Sequence, residues 1–148
     1  MLAVNAPGSP NVSQLSKAIE TSRATVMNYI KYLADARLVN ILYPQGETFP
    51  KKPCKIYMYN SNLMYPICPV EEVNKDVARE SFFFNQLQKD NKVNAGIKNA
   101  HFMVNDTYHF KIEGAARSKG NSGYYYAVDN MAEGEGNQVP LWLFGFLY

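Results

Sequence analysis

A chain of 148 residues is long enough for one ordinary domain or two very small ones that share a boundary. A composition that is 47% hydrophobic, 14% aromatic and 19% charged excludes a disordered chain. No apolar run reaches the roughly eighteen residues that cross a bilayer. The formal net charge of +2 does not by itself announce a nucleic-acid binder, but it is unevenly placed. Residues 1–69 carry seven Lys and Arg against three Asp and Glu, whereas residues 70–148 carry eight against ten. Any polyanion contact therefore belongs to the first half.

The opening residues, MLAVNAPGSP, have neither the basic start nor the long apolar segment of a secretory signal, so the expected compartment is the cytoplasm. Val12, Leu15 and Ile19 then recur at the spacing of one helical face. Ser22 suits the N-cap of a second helix, whose stripe runs through Val26, Tyr29 or Ile30, and Leu33 and ends near Arg37. "LVNILY" and "KIYMY" (Lys55 to Tyr59) read as two strands around a turn-rich loop from Pro44 to Pro53. Two helices followed by a β-ribbon is the outline of a winged helix-turn-helix. Such a core normally needs a further helix before Pro7, so the expectation is a chain that is a fragment of a longer one. "SNLMYPI" reads as a brief helix closing this unit of residues 1–69.

A second unit, residues 70–148, opens with an amphipathic helix in "VEEVNKDVARESFFFNQLQKD", where Val73, Val77, Phe83 or Phe84, and Leu87 share a face. Short β-like runs follow: "HFMV", a two-residue turn at Asn105 and Asp106, "TYHFKI", and "GYYYAV". "GAARSKGNSG" and "AEGEGNQ" read as loops, and "VPLWLFGFLY" as a buried terminal strand or helix. The aromatic clusters are read as core rather than as stacking platforms.

The chemistry-bearing residues fall into two sets. Arg23, Thr25, Asn28 and Lys31 on the second helix, with Lys51, Lys52 and Lys55 from the loop and following strand, are the residue types that contact DNA phosphates and base edges. Glu20 stands where a tight helix-turn-helix usually has glycine, because the backbone there needs a positive φ, and it adds a negative charge close to the expected DNA surface. The plain alternative is a solvated face of a protein-docking module. The second set is Glu80, Lys111 and Glu113, weak candidates for a metal-dependent nuclease that would use two acids and a lysine. His101 and His109 fall on opposite faces of the expected hairpin, so no shared metal is expected. Cys54 and Cys68 lie in no CxxC motif and read as free thiols; neither they nor Ser81 or Ser118 has an activating partner in view. No phosphate-binding loop is present, so no cofactor is expected for this chain.

Taken in order, "PNVSQLSKAIETSRATVMNYIKYLADARLVNILY", "KIYMYNSNLMYPI", "RESFFFNQL" and "VDNMAEGEGNQVPLWLFGFLY" resemble the C-terminal region of a family of prokaryotic AAA+ ATPases. The resemblance implies a winged helix followed by a small α/β domain of the PD-(D/E)xK endonuclease-like kind. It also implies an ATPase domain of the same parent protein, with ATP and Mg²⁺ belonging only to that domain. Glu80 matches the family's helix acid, whereas His101 stands in place of an aspartate and Lys111 in place of an acid, with Glu113 displaced by two positions. The expectation is therefore an α+β chain with a degenerate, non-catalytic second half. It acts as an accessory region that binds double-stranded DNA or docks a protein partner. The alternatives are a nuclease with a rearranged site and a pure protein-interaction module.

Overall fold

The structure, a computed structural model, describes residues 11–67, 69, 71, 73–116 and 123–147. The expectations about the segment before Pro7, the Cys68 thiol, Ser118 and the loop at 117–122 lie outside the described residues. The chain is α+β, with helices packed on two sheets. No helix among the described residues is long and apolar enough to cross a membrane.

Helices α1 (Val12–Ala18) and α2 (Arg23–Asp35) start on side-chain caps. Asn11 Oδ1 accepts from the Gln14 amide at 3.2 Å, and Ser22 Oγ accepts from the Thr25 amide at 3.1 Å. Both helices end in the same closure. The Thr21 amide donates to Ser16 O at 2.9 Å and Glu20 to Lys17 O at 3.3 Å; Leu38 donates to Leu33 O and Arg37 to Ala34 O, each at 2.9 Å. Such paired bonds place one residue in the left-handed region, here Glu20 at φ 50° and Arg37 at φ 56°. The backbone position usually given to glycine is thus present, with Glu20 in it. Of the alternative core positions on α2, Ile30 is buried and Tyr29 exposed; Ile19, read as part of the α1 stripe, is exposed because it already belongs to the closing turn.

Strands β1 (Val39–Leu42) and β2 (Lys55–Met58) pair antiparallel, with Val39 opposite Met58 and Ile41 opposite Ile56. Period-two alternation gives this ribbon two distinct faces. Val39, Ile41, Ile56 and Met58 pack with Val12, Val26 and Ile30 of α1 and α2. Asn40, Leu42, Lys55 and Tyr57 face the other way, toward α4 (Lys75–Leu87). Between ribbon and α4 lie a 3-10 turn (Ser61–Leu63) and α3 (Met64–Ile67). Val77 of α4 joins the first core cluster, while Leu42 and Tyr57 of the ribbon join the second, so the two cores meet on the ribbon.

The second core lies between α4 and a five-stranded sheet ordered β3 (Val93–Ala95), β4 (Phe102–Val104), β5 (Tyr108–Glu113), β6 (Tyr125–Val128), β7 (Gln138–Pro140). The first three strands are antiparallel, and β5, β6 and β7 are parallel. Phe83 is fully buried, its ring 5.3, 5.0 and 4.8 Å from those of Phe102, Phe110 and Phe144. Phe83, Phe84 and Tyr126 are core, whereas Tyr125 is exposed. Two expectations need correction. The β4–β5 connection has three residues, because Phe102 pairs with Phe110 and Val104 with Tyr108, and Asn105 and Asp106 both take positive φ. The C-terminal segment forms β7 and then a 3-10 helix (Leu141–Phe146) that buries only Leu141 and Phe144, leaving Trp142, Leu143 and Phe146 exposed.

Candidate functional site: a basic hollow and the Glu80 cluster

The DNA-contact candidates divide by position. Arg23, at the first turn of α2, and Lys52, in the β1–β2 loop, line one surface hollow of about 250 Å³ together with Ser13 and Met27. Lys51, beside Lys52, is exposed. The amino-terminal end of α2 opens at the same place and adds its partial positive charge. Asn28 is exposed farther along α2. Thr25 is half-buried, and its hydroxyl shares a 2.8 Å hydrogen bond with Ser22, which joins it to the cap. Lys31 is engaged with Asp35 at 2.8 Å, and that bond and charge hold its ammonium above its ordinary value. Lys55 does not join this group. Strand alternation turns it to the opposite ribbon face, where its Nζ lies 3.0 Å from Glu80 Oε2.

Glu80 sits where ribbon, α4 and sheet meet, and only 7% of it is exposed. A buried carboxylate needs donors. Oε2 accepts from Lys55 and, at 2.5 Å, from the Tyr57 hydroxyl. Burial first, and then the adjacent carboxylate, push the Tyr57 phenol far above its ordinary range. His101 Nδ1 lies 3.7 Å from the other oxygen, Oε1. That nitrogen also accepts from the Ile112 amide at 3.1 Å, so in the neutral ring the proton is on Nε2 and Nδ1 has none to give Glu80.

The nuclease candidates do not converge. Phe110 and Ile112 of β5 pack into the α4-facing core, so alternation puts Lys111 and Glu113 on the far face. Lys111 Nζ lies 4.5 Å from the centre of the Tyr124 ring, a cation–π contact. Glu80 stays on the α4 side with Tyr57. Among the described residues no group of three or more His, Cys, Asp or Glu is placed to hold a metal ion. The two histidines are also apart, His101 against Glu80 and His109 beside Tyr124 with ring centres 6.4 Å apart. The register expected from a two-residue turn does not hold, because Met103 pairs with His109; alternation alone would then put both histidines on one face, and they are separated because His101 lies before β4, beside Glu80.

Tyr57 was missed by sequence reasoning, which marked it only as a strand former. Its signal was available, since Lys55 and Tyr57 share the ribbon face opposite Ile56 and Met58. Comparison with protein-family profiles, with curated proteins and with solved structures gives no match.

Proposed function

We propose that the first half is a winged helix whose second helix and loop contact the phosphates of double-stranded DNA, as part of a non-catalytic accessory region serving an AAA+ ATPase domain. The observation that carries DNA contact is the shared hollow of Arg23 and Lys52, with Lys51 exposed beside it. Two cations from distant parts of the sequence, set at a helix N-terminus, suit a phosphate. Thr25 is drawn into the cap and Lys31 is paired with Asp35, so the arrangement favours backbone contact over base reading. The degenerate endonuclease-like reading of the second half is supported by the order of α4 and the sheet that follows it. The separation of Glu80 from Lys111 and Glu113 favours a role without cleavage.

The test is competition binding with fluorescent duplex DNA. Binding should weaken steadily with added salt, and an unrelated duplex should compete equally well. Absence of binding, or binding indifferent to salt, would shift the assignment to protein docking. Incubation with Mg²⁺ or Mn²⁺ should leave the DNA intact. Cleavage lost in both Glu80→Ala and Glu113→Ala would establish the rearranged nuclease instead.

A further inference from the structure

A cleft of about 830 Å³ opens between the carboxyl-terminal half of α4 and the turn that follows β2, within the size range of small-molecule sites. One wall is the half-buried flank of α4 with Phe82, Asn85 and Gln86, continued past the helix end by the exposed Lys89; the other is the turn from Tyr59 to Asn62. At its base lies Asn40, only 6% exposed. Asn40 Nδ2 donates to Asn85 Oδ1, and Asn85 Nδ2 reaches Met58 O at 3.5 Å.

The lining is chemically one-sided. It is dominated by carboxamides, holds an aromatic side chain on each wall, contains a single cation, Lys89, and has no carboxylate. The side chains of Gln86 and Asn62 make no hydrogen bond within the described residues, so their paired donor and acceptor atoms are available. A carboxamide matches the N6 donor and N7 acceptor of adenine with two parallel hydrogen bonds, and aromatic rings stack on a planar base. An extended peptide would use the amides but gain little from two aromatic walls.

We propose that this cleft binds an adenine base, read by Gln86 and Asn62 between Tyr59 and Phe82. A free nucleoside or nucleotide and an unpaired base in a strand present the same edge. The site is independent of Arg23 and Lys52, so it stands or falls separately from duplex binding.

The experiment is a titration of the full chain with adenosine, which carries no phosphate, followed by backbone amide NMR shifts. Adenosine should shift resonances confined to residues 59–62 and 82–89, and 7-deazaadenosine, which lacks N7, should bind about tenfold more weakly or worse. Gln86→Ala and Asn62→Ala, neither of which removes an internal hydrogen bond of the side chain, should each weaken adenosine, and weaken the 7-deaza compound, which keeps only the N6 bond, by less. A tighter response to a single-stranded adenine oligonucleotide than to adenosine identifies a strand as the source; the reverse identifies a free nucleoside. Equal binding of uridine, stronger shifts from a capped trialanine peptide, or no response to adenosine at millimolar concentration would overturn the proposal.

Discussion

The Tyr57 hydroxyl donates to Glu80 Oε2 at 2.5 Å, and this bond fastens the β-ribbon to α4. Both residues are buried, and the Tyr57 ring also packs edge-on against Phe84, with ring centres 5.5 Å apart, and at a tilt against Phe102, with ring centres 5.8 Å apart. One side chain therefore belongs to the ribbon by backbone, to the second core by its ring, and to Glu80 by its oxygen.

Tyr57→Phe keeps the ring and removes the donor. The expected cost is about 1.5–3 kcal/mol, the range for hydrogen bonds to a charged group, read as a lower urea midpoint with an unchanged slope. Because the folded phenol is raised above its ordinary value of 10.0, Tyr57 contributes stability that is present below pH 10 and declines as pH rises above it. Wild-type stability should fall more steeply above that pH than that of Tyr57→Phe. Parallel alkaline profiles, or an unchanged midpoint, would show that the bond does not hold the ribbon.

A second fastening is lost at low pH. Arg79 of α4 places Nε 2.8 Å from Asp129 Oδ2, just after β6, and its Nη1 2.9 Å from Asp76. The Arg79 hydrogen bond holds the Asp129 carboxyl below its ordinary value of 3.8. A depressed carboxylate contributes stability above the unfolded value and loses it as pH falls through the folded one. Acid titration should therefore show a loss of stability beginning near pH 3.8 and continuing below it, diminished in Asp129→Asn. The Asp129 side chain is 43% exposed, so solvent screening keeps this effect small. Identical acid limbs in the two proteins would remove the ion pair from the account.

Glu20 stands at φ 50°, where a side chain costs energy that glycine avoids. Glu20→Gly should stabilise the chain by about 0.5–1 kcal/mol, after allowance for the freer unfolded chain. On the proposed DNA contact, it should also strengthen duplex binding by removing a negative charge from the turn between α1 and α2. Destabilisation in a urea titration would mean that the Glu20 side chain has a role at the turn that outweighs its backbone.

Much of the first half is legible in the residues because its signals are local. Ser22 caps α2, the ribbon alternates between two apolar and polar faces, and the turn needs a left-handed residue at Glu20 whichever side chain fills it. The second half depends on distant pairing. Nothing near Asn105 and Asp106 distinguishes a two-residue from a three-residue turn, since both residues tolerate positive φ, and only the pairing of Met103 with His109 decides it. Strands β5, β6 and β7 run parallel through connections with no periodic pattern, and β3 is only three residues long. Among the candidate site residues, Lys55 could have been separated from Lys51 and Lys52 by strand alternation alone. The meeting of Arg23 with Lys52 could not, because loop placement follows from tertiary packing.

The central claim is that Arg23 and Lys52 act together on DNA phosphates. It is tested most directly by the slope of log affinity against log salt for random duplex DNA, compared between the wild type and Arg23→Ala/Lys52→Ala. If each cation neutralises one phosphate, the double variant should bind more weakly and its slope should be shallower by about 2. An unchanged slope, with affinity unchanged, would contradict a phosphate-binding hollow at the start of α2.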